Sequence, residues 1–185
     1  MSSYKDYIRD FPHRILKLYE NLLGKATHDR LEVTFLLSLT SSGLAVPFYR
    51  LRKDNVYPDP FENRNEFKEA AEKFDKLKDK RFRESELWDS TFEKWQYGKC
   101  GSGKIEPDSL EKINSECTIE KIIKHLRDSL AHGIILTLGD EIDEIKEIRL
   151  FVGKKETGLS ILCVTPHSLG RFLCNWIDWL QNLNV

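Results

Sequence analysis

The sequence predicts a mainly α fold: a helical bundle with one small antiparallel β-hairpin set before the C-terminal helix. Three observations lead there. Several stretches repeat apolar residues at i, i+3 and i+4, the mark of amphipathic helices. One helix-length stretch, Val33–Val46, is apolar on nearly every side, as a helix buried at the centre of a bundle would be. Only after Gly133 does the pattern change to short β-branched runs. No repeat, low-complexity tract or linker divides the chain, so residues 1–185 read as a single domain.

Taken in order, the first helix is expected from about Asp10 to Leu23. Asp10 can cap it, Pro12 is tolerated in its first turn, and Ile8, Phe11, Ile15, Leu18, Tyr19 and Leu22 recur at helical spacing before Gly24 ends it. The central helix follows over His28–Val46, stopped or kinked at Pro47. Arg50–Pro60, with Asp54, Asn55, Pro58 and Pro60, reads as a loop. Phe61–Phe82 carries a stripe of Phe67, Ala70, Ala71, Phe74 and Leu77 among charged residues, an amphipathic surface helix. Trp88, Phe92 and Trp95 suggest a shorter helix over Leu87–Tyr97, and Gly98–Ser109 reads as an exposed connection. Beyond Gly133, Ile134–Leu138 and Ile145–Val152 have strand character; Ile148–Val152 and Leu159–Val164, joined by the turn-like GKKETG, form the expected hairpin. Thr165 can cap a last helix with Pro166 at its first position and a stripe of Leu169, Phe172, Leu173, Trp176, Ile177 and Leu180.

Composition excludes several functional classes. Lys+Arg at 29 against Asp+Glu at 30 leaves a net charge of −1, so a polyanion partner would need a local patch. The candidate patch Lys76, Lys78, Lys80, Arg81 and Arg83 is interleaved with Asp75, Asp79 and Glu84 and reads better as a solvated helix face. The four cysteines, Cys100, Cys117, Cys163 and Cys174, form no C-x-x-C pair and suggest neither a zinc site nor a disulfide framework. There is no signal core and no run long enough for a membrane span, so a cytoplasmic setting without membrane contact is expected. GKCGSGK, Gly98–Lys104, imitates a phosphate-binding loop but fails at the next residue. Ile105 stands where a Ser or Thr should reach magnesium, and neither a buried strand before it nor a helix after it is indicated. No cofactor is expected.

The stretch that concentrates chemistry is Ile119–Gly133, IEKIIKHLRDSLAHG. Ile119, Ile122, Ile123, Leu126 and Leu130 fall within one arc of roughly 100°, a core-facing stripe. Arg127, Asp128, Ala131 and His132 lie off it. Asp128 and His132 are at i and i+4 and can meet on a helix surface. Arg127 and His132 are five residues apart, about 140° around the axis, so one straight helix does not aim both at one small target. A helix end at Gly133 or a second copy of the helix would relieve that. Structural readings of the same residues are available: His132 with the helix dipole, Arg127 snorkelling beside the core, and Asp128 paired with Lys124.

HLRDSLAHG, His125–Gly133, resembles the hallmark of the HEPN family: an Arg, a polar residue after it, and a His four positions later near a helix end. The order of elements is also similar, and the SSGLAVPF ending of the central helix adds a weaker likeness to a bacterial subgroup. The resemblance implies a HEPN-like bundle forming a homodimer through Ile119–Gly133, and in many members metal-independent endoribonuclease activity on an RNA substrate. It implies a role in toxin–antitoxin or antiviral defence systems, in the former with an antitoxin protein as partner. Under it, His132 would act as general base or acid, Arg127 would bind phosphate, and Asp128 would orient the imidazole. His125 could add an RNA contact, though a solvated surface histidine is its simpler reading. The alternative is a catalytically silent HEPN module that binds RNA or a partner protein through the same face; a purely structural helical dimer is a third reading.

Overall fold

The structure, a computed structural model, describes residues 8, 10–51, 65–113, 117–141, 144–154 and 156–183. In chain order the helices are α1 (Asp10–His28), α2 (Glu32–Leu51), α3 (Asn65–Lys78), α4 (Ile119–His132) and α5 (Pro166–Gln181), with a 3-10 turn at Phe82–Glu84. The strands are β1 (Gln96–Cys100), β2 (Ser109–Lys112), β3 (Ile135–Glu141), β4 (Glu144–Lys154) and β5 (Gly158–Val164). They form one antiparallel sheet in the order β2-β1-β5-β4-β3.

This corrects the expected bundle with one small hairpin: the chain is a helical layer built onto a five-stranded sheet. The hairpin is present as β4 and β5, with Phe151 opposite Ile161. Two strands were hidden on its other side. β1 reads QYGKC and β2 reads SLEK, both poor in β-branched residues, so neither stands out by propensity. The expected helix at Leu87–Tyr97 is absent. Its three aromatics instead surround Phe82, with ring centroids 5.4 Å (Trp88), 6.4 Å (Phe92) and 5.1 Å (Trp95) away, and Trp95 leads into β1. Gly98, the first residue of the phosphate-loop imitation, sits inside β1, where a Cβ would collide with the Ser109 carbonyl of β2. Sheet packing, not phosphate, accounts for that glycine.

Sheet and helices share the main core. Ile148 and Leu150 of β4 and Leu162 and Val164 of β5 face Ile119, Ile122, Ile123 and Leu126 of α4 and the whole predicted α5 stripe, all fully buried. Alternation along the strands sends Phe151, Leu159, Ile161 and Cys163 to the opposite face, where they cluster with Cys100. Arg149 lies on that face too, bound to Glu147 (2.6 Å) and Glu106 (2.8 Å).

Helix boundaries depart from expectation in three places. α1 runs through Gly24 to His28, and Leu18 and Leu22 of its predicted stripe are exposed. α3 ends at Lys78; the expected start at Phe61 lies outside the described residues. α2 is the central helix, but it continues through Pro47 for another turn. Pro47 has no N–H to return to the Gly43 carbonyl. The Trp176 indole of α5 donates to that oxygen at 3.1 Å and replaces the missing bond. Arg50 and Leu51, the first two residues of the loop expected at Arg50–Pro60, are instead the last two of α2, and residues 52–60 lie outside the described residues.

Candidate functional site

α4 is set in place at both ends by its own sequence. At its start the Thr118 side chain accepts from the Lys121 N–H at 3.3 Å. At its end Gly133 adopts a left-handed conformation (φ 64°, ψ 24°), its N–H donating to the Leu130 carbonyl, while the Ile134 N–H donates to the Ser129 carbonyl at 3.0 Å. Two bonds in that pattern make a Schellman motif, which glycine enters without a Cβ penalty. His132 is therefore the last helical residue, exposed, at the point where the chain turns into edge strand β3. Its ring has no hydrogen-bond or ion-pair partner among the described residues.

Arg127 is placed differently. Its side chain is only 10% exposed, and its guanidinium lies over the rings of Phe48 (5.2 Å to centroid) and Tyr49 (5.0 Å) at the end of α2. Its Nε donates to Asp128 Oδ1 at 2.8 Å, and its Nη2 reaches the same oxygen. Asp128 is thus engaged by its neighbour. Among the described residues no hydrogen bond joins it to His132, and no ion pair joins it to Lys124. Sequence reasoning did not single out Phe48 and Tyr49. The Pro47-Phe48-Tyr49 run that ends the apolar helix was the available signal, and only packing of α4 on α2 shows that two rings meet one guanidinium.

His125 is not the solvated surface residue expected. It is buried, donates from Nε2 to the Leu150 carbonyl of β4 at 2.8 Å, and meets the edge of the Tyr97 ring. Because a carbonyl only accepts, Nε2 carries a proton in this arrangement. Burial lowers its pKa below the ordinary 6.5 and outweighs the Leu150 hydrogen bond, which acts in the opposite direction. His125 is a polar strut between helix and sheet.

Two of the five cations in the candidate basic patch, Lys78 and Arg81, are held in ion pairs. Lys78 meets Asp75 at 3.0 Å and Arg81 meets Glu84 at 3.1 Å. All four cysteines are free thiols, and among the described residues no helix is long and apolar enough to cross a membrane.

An amphipathic helix of this composition, ending in Arg127-Asp128 and an exposed His132 before a glycine cap, defines the class. The chain belongs to the HEPN family: a family model described as HEPN pEK499 p136 matches residues 1–184. Membership points to a nuclease or other RNA-related function. Neither the curated proteins nor the solved structures contain a match to the chain.

Proposed function

We propose that this chain is a metal-independent endoribonuclease whose site is completed when two α4 helices pack together in a homodimer. The observation that carries this reading is the contrast along one helix. Arg127 is packed against α2, whereas His132, about 140° further round the axis, projects from the helix end without a polar partner among the described residues. Within one chain no hydrogen bond links them. A second copy of α4 would supply the other half of the constellation.

The chemistry follows from residue type. The His132 imidazole can accept the proton of a ribose 2′-hydroxyl as that oxygen attacks the adjacent phosphorus. The bond from phosphorus to the 5′-oxygen breaks, and that oxygen takes a proton from the second copy's imidazolium. The products are a 2′,3′-cyclic phosphate and a 5′-hydroxyl end. Arg127, its guanidinium already ordered by Asp128 and two rings, would stabilise the charge gathering on the phosphoryl oxygens. Asp128 acts here as a positioning residue for Arg127 rather than for the imidazole.

A second reading is favoured by the same ion pair. With Nε and Nη2 both committed to Asp128 and the guanidinium stacked, Arg127 is structural cement in this reading, and the chain is a silent module that binds RNA or a protein through this face. The deciding experiment is cleavage of single-stranded RNA by the purified chain in excess chelator. Loss of cleavage in both His132→Ala and Arg127→Ala, with the dimer intact by light scattering, supports the enzyme. Undiminished cleavage in those variants overturns the site assignment. RNA binding without cleavage by the unaltered chain selects the second reading.

A further inference from the structure

A cavity of about 400 Å³, with no α4 residue in its lining, lies between the 83–96 segment and the end of β2. Its walls include Arg83, Trp88, Phe92, Lys94, Trp95 and Lys112, and among the described residues no Asp or Glu lines it. Volume and concavity suit a small organic ligand. Its chemistry narrows the class.

The aromatic side is preassembled. Phe92 and Trp95 are stacked at 5.4 Å with 23° between planes, and Trp88 stands edge-on to Phe92 at 5.1 Å. Trp88 and Phe92 are only half-buried and keep surface free for a further ring. The Arg83 guanidinium lies over Trp88 at 5.3 Å. Lys94 and Lys112 are exposed and form no ion pair among the described residues. Trp95 is 3% exposed, and its indole N–H lacks a hydrogen-bond partner among the described residues. A buried indole N–H ordinarily finds an acceptor.

The backbone at the rim is held in an unusual form. Lys94 has φ 50°, the left-handed region that a lysine rarely adopts. Its neighbour Glu93 is clamped at both backbone groups by Ser168 of α5, whose Oγ accepts from the N–H at 2.8 Å and donates to the carbonyl at 3.0 Å. Such locally strained residues persist where the surroundings over-determine them, and they gather at ligand sites.

We propose that this cavity is a second site that takes a nucleoside phosphate, with the base against the Trp88 and Phe92 rings and the phosphate met by Lys94, Lys112 and Arg83. A simple anion would leave the rings unused, an apolar ligand would leave three cations unused, and a cationic ligand would be repelled. An aromatic base joined to a phosphate uses both. The unit can come as a free nucleotide or as one residue of a single strand. None of the lining residues lies on α4, so the site stands apart from the proposed cleavage centre.

The test is calorimetric titration of the full chain with adenosine 5′-monophosphate and with a short single-stranded oligoribonucleotide, with adenosine and inorganic phosphate as controls. Using the His132→Ala chain for the oligonucleotide separates capture from cleavage. The nucleotide should bind roughly tenfold or more tightly than either control, and Lys94→Glu with Lys112→Glu should weaken it about tenfold while the circular dichroism spectrum is unchanged. A tighter oligonucleotide assigns a strand as the source; equal affinity assigns the free nucleotide. Absence of saturable binding, or binding undiminished in the double variant, overturns the site. The Trp95 indole resonance, assigned with Trp95→Phe, should shift on binding; an unmoved signal overturns its placement.

Discussion

The indole N–H of Trp176 donates at 3.1 Å to the Gly43 carbonyl, the oxygen that Pro47 leaves without its helical partner. A proline inside a helix and a tryptophan on another helix, 129 positions later by their numbers (176 − 47), thus form one unit. Gly43 lets α5 come close: a Cβ there would sit 3.1 Å from Leu173 and 3.3 Å from Ile15. Removing the donor leaves a buried acceptor unsatisfied and a void beside it. Trp176→Phe should cost about 2–4 kcal/mol in urea unfolding. Pro47→Ala restores a backbone donor to the same oxygen, so Trp176→Phe should cost less in that background. Additive costs would show that the bond is incidental.

His125 makes stability depend on pH. Its folded pKa is lowered by burial, so the folded state refuses a proton that the unfolded chain accepts near the ordinary value of 6.5. Its contribution is complete above that value and is lost as pH falls through and below it. The slope can reach about 1.4 kcal/mol per pH unit for one proton. Denaturation midpoints between pH 8 and pH 5 should fall toward acid, and His125→Gln should flatten that limb while lowering stability at neutral pH. An unchanged limb would place the acid sensitivity elsewhere.

Arg127 and His132 should separate by stability even if both abolish RNA cleavage. His132 is exposed and has no polar partner among the described residues, so His132→Ala should leave the melting temperature within error. Arg127→Ala removes an ion pair and stacking on Phe48 and Tyr49 and should cost about 1–2 kcal/mol. Arg127→Lys keeps charge but loses the planar fork, and should recover less than half of that stability. Equal melting temperatures for all three variants would contradict the stacked geometry.

The thiols should be slow. Burial pushes the Cys163 thiol up to about 12 and raises those of Cys100 and Cys174 as well. At pH 8 an aromatic disulfide reagent should find fewer than one rapidly reacting thiol per native chain and all four in denaturant. Rapid reaction of two or more in the native protein would show that the sheet's outer cluster around Cys100 and Cys163 opens readily.

Elements with strong local signals were readable in the linear chain. The α4 and α5 stripes, the Thr165 cap, the Gly133 stop and the β4–β5 hairpin all depend on neighbours within a few residues, where spacing and cap chemistry decide. The Arg127–His132 motif was legible for the same reason, as was membership of the HEPN family. The rest required contacts between distant segments. β1 and β2 become strands because β5 offers a paired edge and Gly98 admits the Ser109 carbonyl, not because of their own propensity. Pro47 leaves α2 unbroken because Trp176 arrives from α5. Arg127 is held by rings on α2 and His125 by a carbonyl on β4, while His132 meets no polar partner among the described residues. Periodicity marks which face of a helix is apolar; which polar side chains on it find partners is decided by what the fold brings alongside.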